Sequence, residues 1–164
     1  MFMNTEQVMA FLPHRDPFLF IKTVEKIVLP PSLEGKKGPF KAQEMLGGKV
    51  ICRFDVEPSL KVLEGHFPGH PILPGVVQVE MMAQASSFLM THALEKPVAE
   101  VKLDVALLSV EKARFRKPVT PGMSLEIHAT MTRIRGYIQS YDCQIFCNGE
   151  LISESSVMAS IKIF

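Results

Sequence analysis

The sequence predicts an α+β fold in which one long central helix is wrapped by a curved antiparallel β-sheet. Three observations carry this. The stretch 74–92 is apolar around most of its helical circumference, the pattern of a helix buried on most sides. Several segments alternate apolar and polar residues with a period of two, as half-buried strands do. Short turn signals, Arg135-Gly136 and Asn148-Gly149, join the last of these segments, and strands joined by short turns run antiparallel. One helix against one such sheet is a stable layered architecture.

Taken in order, residues 3–11 are spaced for a short helix. The proline-marked turn in "LPHRDPFLFI" leads into an apolar segment over 18–28. "PPSLEGKKGPF" is punctuated as a loop, and 30–48 is expected to be a loop insertion, either mobile or holding a short helix around 41–46. Residues 49–57 alternate, with Val50, Cys52, Phe54 and Val56 on one face. After the loop 57–73, Pro74 suits the first helical position, where a missing N–H is no loss, and Gly75 would be second. The helix should run to about His92. Residues 99–110, 123–134, 137–147 and 151–163 read as four strands, with Leu125, Ile127, Ala129 and Met131 facing inward. A chain of 164 residues suits one core, so 1–164 reads as a single domain.

Composition narrows the function. A net charge of +1 gives no overall attraction for nucleic acid. No run of about 18 uncharged apolar residues exists, so no membrane span is expected. The N-terminal stretch lacks the basic-then-apolar pattern of a secretory leader. Cys52, Cys143 and Cys147 have neither zinc spacing nor a CxxC, and read as small buried hydrophobes in a reducing, cytoplasmic setting. His66 and His70 are separated by Pro68 and Gly69, share no helical face, and suggest no metal site. "GGK" at 47–49 lacks the spacing of a phosphate-binding loop.

The chemistry concentrates in "EGHFPGHPILPGVVQVEMMAQAS", residues 64–86. His66 lies in a loop stiffened by Pro68 and Pro71 and is a candidate base. The first N–H groups of the helix have no intrahelical partner, and Gly75 has no side chain to keep a ligand oxygen away. A carbonyl placed there would be polarised as in an oxyanion hole. Glu80 sits on an otherwise apolar helix, an environment in which a carboxyl can serve as a general acid, and Gln84 lies one turn on to orient it. Such a set suits proton abstraction beside a carbonyl followed by loss of a neighbouring hydroxyl as water. By residue type alone, a lone loop histidine or a solvated helix glutamate remains an alternative.

"GHFPGHPILPGVVQVEMMAQ" closely resembles the signature of the 3-hydroxyacyl-[acyl-carrier-protein] dehydratases of the Z type. "LPHRDPFLFI" and "VEKARFRKPVTPGMSLEI" resemble two further segments of that family, in family order, so the likeness spans roughly 12–160. It implies a hot-dog fold, a homodimer often assembled as a trimer of dimers, and a site shared between subunits. His66 matches the family histidine, and Glu80 the family acid, contributed by the partner subunit. Gly75 matches the donor to the thioester carbonyl, with Phe67, Val76, Gln84 and Ala106 as further substrate-binding positions. The resemblance implies no metal and no organic cofactor, and a substrate carried on the phosphopantetheine of acyl carrier protein. Lys112, Arg114, Arg116 and Lys117 would then meet the acidic carrier protein, with Phe115 turned inward between the two arginines. A solvated strand end is the other reading of that run.

Three departures from the family pattern stand out. Asp16 and Ala106 replace frequent aromatics, and 30–48 is longer than the corresponding loop. An open wall at Ala106 is expected to admit a longer or bulkier acyl chain. A hot-dog thioesterase and a non-catalytic acyl or carrier-protein binding subunit are the alternative functions.

Overall fold

A computed structural model describes residues 1–164. Helix α1 (Thr5–Phe11) begins at a reciprocal cap: Asn4 Oδ1 accepts from the Gln7 N–H and Gln7 Oε1 accepts from the Asn4 N–H, each at 3.0 Å. Strands β1 (Thr23–Val28) and β2 (Lys49–Asp55) follow, then a single turn, α2 (Lys61–Glu64), and the central helix α3 (Gly75–Ser86). Strands β3 (Leu103–Phe115), β4 (Ser124–Arg135), β5 (Ile138–Cys147) and β6 (Glu150–Ile163) complete the chain. All six strands form one antiparallel sheet in the order β1-β2-β4-β5-β6-β3, so β3 is an edge bonded only to β6.

The alternating segments put their apolar faces on α3. Val50, Cys52 and Phe54 of β2, and Leu125, Ile127, Ala129 and Met131 of β4, are buried with Met81, Met82, Ala85, Phe88 and Leu89. Asn148 and Gly149 both have positive φ, 49° and 78°, as the tightest hairpin turn between β5 and β6 requires. No helix is long and apolar enough to cross a membrane.

Two expectations need correction. Pro74 is the N-cap, with φ −56° and ψ 141°, so Gly75 and not Pro74 is the first helical residue. The helical path does reach Ala93, but beyond Ser86 it tightens into 3₁₀ turns. Ser86 Oγ donates to Ala83 O and Thr91 Oγ1 to Phe88 O, both at 2.7 Å; such back-bonding competes with the α-helical ladder. The 30–48 segment carries two 3₁₀ turns, Pro31–Leu33 and Ala42–Met45, and buries Leu33, Phe40 and Met45. It is tied to the end of the helical path by the Phe40 N–H on His92 O, 2.9 Å, and to β4 by Gly47 and Gly48.

Strand β3 is irregular. Glu111 lies opposite Ser156 but Arg114 opposite Glu154, so three steps on β3 face two on β6. The extra residue is a β-bulge, with Lys112 at φ 53°. A bulge shifts the alternation of everything after it. Phe115 accordingly lies opposite buried Ser153, on the face turned toward α3 as expected, with its ring against Gly75 and about half exposed at the sheet edge.

Candidate active site

The loop carrying His66 is held at both ends. The His66 N–H donates to Leu63 O at 3.2 Å, and its carbonyl accepts from the Ile72 N–H at 2.8 Å. Phe67 and His70 exchange two backbone hydrogen bonds around a turn in which Gly69 has φ +73°. The Leu73 N–H on Val119 O then fixes the approach to α3.

Within this frame the imidazole has one possible tautomer when neutral. Nδ1 lies 2.8 Å from the Ile72 carbonyl, which only accepts, so Nδ1 carries the hydrogen. Nε2 is left with its lone pair, the form a general base needs. The Phe67 ring stacks on the imidazole with centroids 4.1 Å apart.

Beside it lies the start of α3. The N–H groups of Gly75 and Val76 have no partner within the chain, as the first donors of a helix do not. A Cβ on Gly75 would sit 2.8–2.9 Å from the Phe115 ring, so a side chain there would have to displace the ring. His66, Gly75, Gln78, Phe115, Arg116 and Lys117 line one cleft. Gln78 is buried and accepts from Ser153 Oγ at 2.7 Å, tying the helix start to β6.

Glu80 lines a different cleft, with His14, Gln84 and Ala106. Its surroundings are less apolar than the helix pattern implied. Oε1 accepts from Gln84 Nε2 at 2.9 Å and lies 3.2 Å from His14 Nε2. Gln84 also donates to Phe18 O at 2.9 Å and accepts the Phe20 N–H at 3.0 Å, so its amide can take only one orientation. Ala83, Ser87, Ala106 and Ala159 leave this cleft walled by small side chains.

One chain thus joins His66 with Gly75, and Glu80 with Gln84 and Ala106, but does not join the two sets. Phe67 and Val76 line neither cleft, and Val76 is 77% exposed. Of the basic run, Arg116 pairs with Glu154 at 2.7 Å and Lys117 pairs with Glu150, while Arg114 makes no ion pair. Two residues escaped sequence reasoning. His14 lies within "LPHRDPFL", but no periodicity relates position 14 to position 80. Gln78 looked like one more helix polar residue, although it ties the helix start to β6.

The remaining reactive side chains are set aside by their surroundings. All three cysteines are free and buried, and burial pushes the Cys52 and Cys143 thiols far above their ordinary range, away from the nucleophilic thiolate. No three His, Cys, Asp or Glu side chains gather as a metal site would require.

Comparison with known proteins identifies the family and the fold. Residues 12–156 match the profile of the FabA-like domain. The chain is 35% identical over 162 residues to the 3-hydroxyacyl-[acyl-carrier-protein] dehydratase FabZ of Nitratiruptor sp., covering 97% of each. It is 38% identical over 154 residues to the bifunctional enzyme LpxC/FabZ of Chlorobaculum tepidum, covering 94% of this chain but 29% of that longer one. Among solved structures, the dehydratase heterocomplex ApeI:P from Xenorhabdus doucetiae superposes with a TM-score of 0.68 at 21% identity, over 94% of this chain and 90% of that one. The last likeness establishes the hot-dog architecture.

Proposed function

We propose, for a chain that belongs to the FabA-like domain family, that it is a dehydratase converting (3R)-3-hydroxyacyl-acyl-carrier-protein to trans-2-enoyl-acyl-carrier-protein in fatty acid or related lipid biosynthesis. The observation that carries the reading is the tautomer of His66, whose bare Nε2 shares a cleft with the unpartnered N–H of Gly75.

His66 Nε2 takes the proton from C2 of the thioester. The C–H electron pair moves toward the carbonyl, and the charge gathering on its oxygen is held by the Gly75 N–H at the helix start. The C2=C3 bond forms as the C3–O bond breaks, and Glu80 gives its proton to the departing hydroxyl, which leaves as water. His66 has then gained one proton and Glu80 lost one, and exchange with water resets both. The elimination is redox-neutral, and His66 and Glu80 supply its base and its acid, so the step is written without a metal or organic cofactor.

The acid comes from a second copy of the chain. The His66 cleft is bounded by Phe115 and the Glu80 cleft by Val105, Ala106 and Leu107, at opposite ends of the same edge strand. That edge exposes Leu107, Leu108 and Val110. Pairing β3 antiparallel with its copy about the middle of the strand sets position 115 of one chain near position 105 of the other, on the order of one strand spacing away. The His66 cleft of one protomer then faces the Glu80 cleft of its partner, giving two sites per dimer, and three such dimers group as a trimer. Arg114, Arg116 and Lys117 stand beside the cleft mouth and suit an acidic carrier protein delivering its phosphopantetheine arm. The reaction belongs in the cytoplasm with that carrier.

Incubation with a 3-hydroxyacyl carrier-protein thioester, followed by mass spectrometry, tests the reading. Loss of one water, or its addition to the enoyl thioester, is the expected result. Release of free carboxylic acid would make the protein a thioesterase. Bound but unchanged substrate would make it a binding subunit.

A further inference from the structure

Position 14 holds a second imidazole at the acid. His14 Nε2 lies 3.2 Å from Glu80 Oε1, and both side chains are about four-fifths buried. Nothing in the dehydration as written above uses it.

The hydrogen bonds around Glu80 distinguish its two oxygens. Gln84 accepts the Phe20 N–H through Oε1, so its Nε2 is the donor that reaches Glu80 Oε1. Glu80 Oε1 is therefore an acceptor. Oε2 has no partner in the chain and is the oxygen left to carry and release a proton. His14 supplies a second constraint. Its Nδ1 is buried and has no hydrogen-bond partner. A buried N–H without an acceptor is the rarer and costlier defect, so the hydrogen belongs on Nε2, which faces the carboxylate.

We propose that His14 is a positioning residue of the acid: its Nε2–H and the Gln84 amide together hold Glu80 Oε1, so that Oε2 alone exchanges the proton with the substrate hydroxyl. This rests on the dehydratase reading. When Oε2–H gives up its proton as the C3–O bond breaks, the carboxylate charge is met at Oε1 by two donors already in place. The effect falls on the proton-transfer step and not on binding, because His14 acts through Glu80.

Two variants and one spectrum test this. Turnover by the wild-type protein is measured first, and its absence would sink the dehydratase reading rather than the role of His14. Given turnover, His14→Leu removes the donor and should lower kcat about 10- to 100-fold with KM little changed, the worth of a hydrogen bond to a charged group. His14→Gln places an amide N–H near the same point and should regain most of that loss. Equal loss in both variants, or full activity in His14→Leu, overturns the proposal. The ¹⁵N–¹H spectrum of the histidines of the wild-type protein, assigned by the signal missing in His14→Gln, needs no activity and holds whether or not His14→Leu folds. It should show His14 protonated on Nε2 and His66 on Nδ1. A His14 proton on Nδ1 overturns the proposal by itself.

Discussion

His66 has one ring nitrogen free because the other is bound to the Ile72 carbonyl, and that bond is set by the hydrogen bonds of the surrounding loop. His66→Ala should therefore lower kcat about 10²- to 10⁴-fold, and Glu80→Gln by a similar factor, with melting temperatures close to wild type. Product formation from the carrier-protein thioester measures both, and near-full activity in either would remove that residue from the mechanism. Gly75 presents a different constraint, steric rather than chemical. Its missing Cβ leaves room for the Phe115 ring. Gly75→Ala should cost about 1–3 kcal/mol in denaturant unfolding, the usual price of overpacking. In a Phe115→Ala background the same change should become neutral, or gain up to about 1 kcal/mol from the better helix former. Additive costs would show that the ring is not what excludes the methyl group.

At the level of elements, β3 departs furthest from its pattern. Its bulge places Lys112 in the left-handed region and sets Phe115 on the helix-facing side, against Gly75. A β-branched residue tolerates that backbone poorly and glycine tolerates it freely. Lys112→Val should lose about 1–3 kcal/mol, while Lys112→Gly should stay within about 1 kcal/mol of wild type. Equal effects in urea unfolding would argue against the bulge. The central helix, by contrast, was legible from its apolar circumference and its Pro-Gly start, within one residue at the N-terminus. Its change to 3₁₀ after Ser86 was not, because hydroxyl groups that bond back to the chain look in sequence like any other serine or threonine.

Within a single chain the proposed base and acid stand apart. His66 and Glu80 line separate clefts along one exposed edge, and the proposed two-fold pairing of β3 closes them into shared sites. Complementation follows from that arrangement. Co-expressed His66→Ala and Glu80→Ala chains should recover about a quarter of wild-type activity, because random mixing leaves one intact site in each mixed dimer. Each variant alone should stay inactive, and a mixture as inactive as its components would show that the two residues act within one chain. Replacing Leu108 on the same edge, Leu108→Asp, should shift the protein toward monomer in light scattering and abolish turnover together.

Sequence by itself determined the alternation of β2 and β4, the buried helix between them, and the residue types a dehydration needs, because these are local patterns in which each position states its own preference. It also brought out the family, through three motifs in order. Tertiary structure alone decided which nitrogen of His66 is free, that His14 stands against Glu80, and that Phe115 covers Gly75. Each of these joins residues from different elements through hydrogen bonds or contacts that no spacing along the chain encodes.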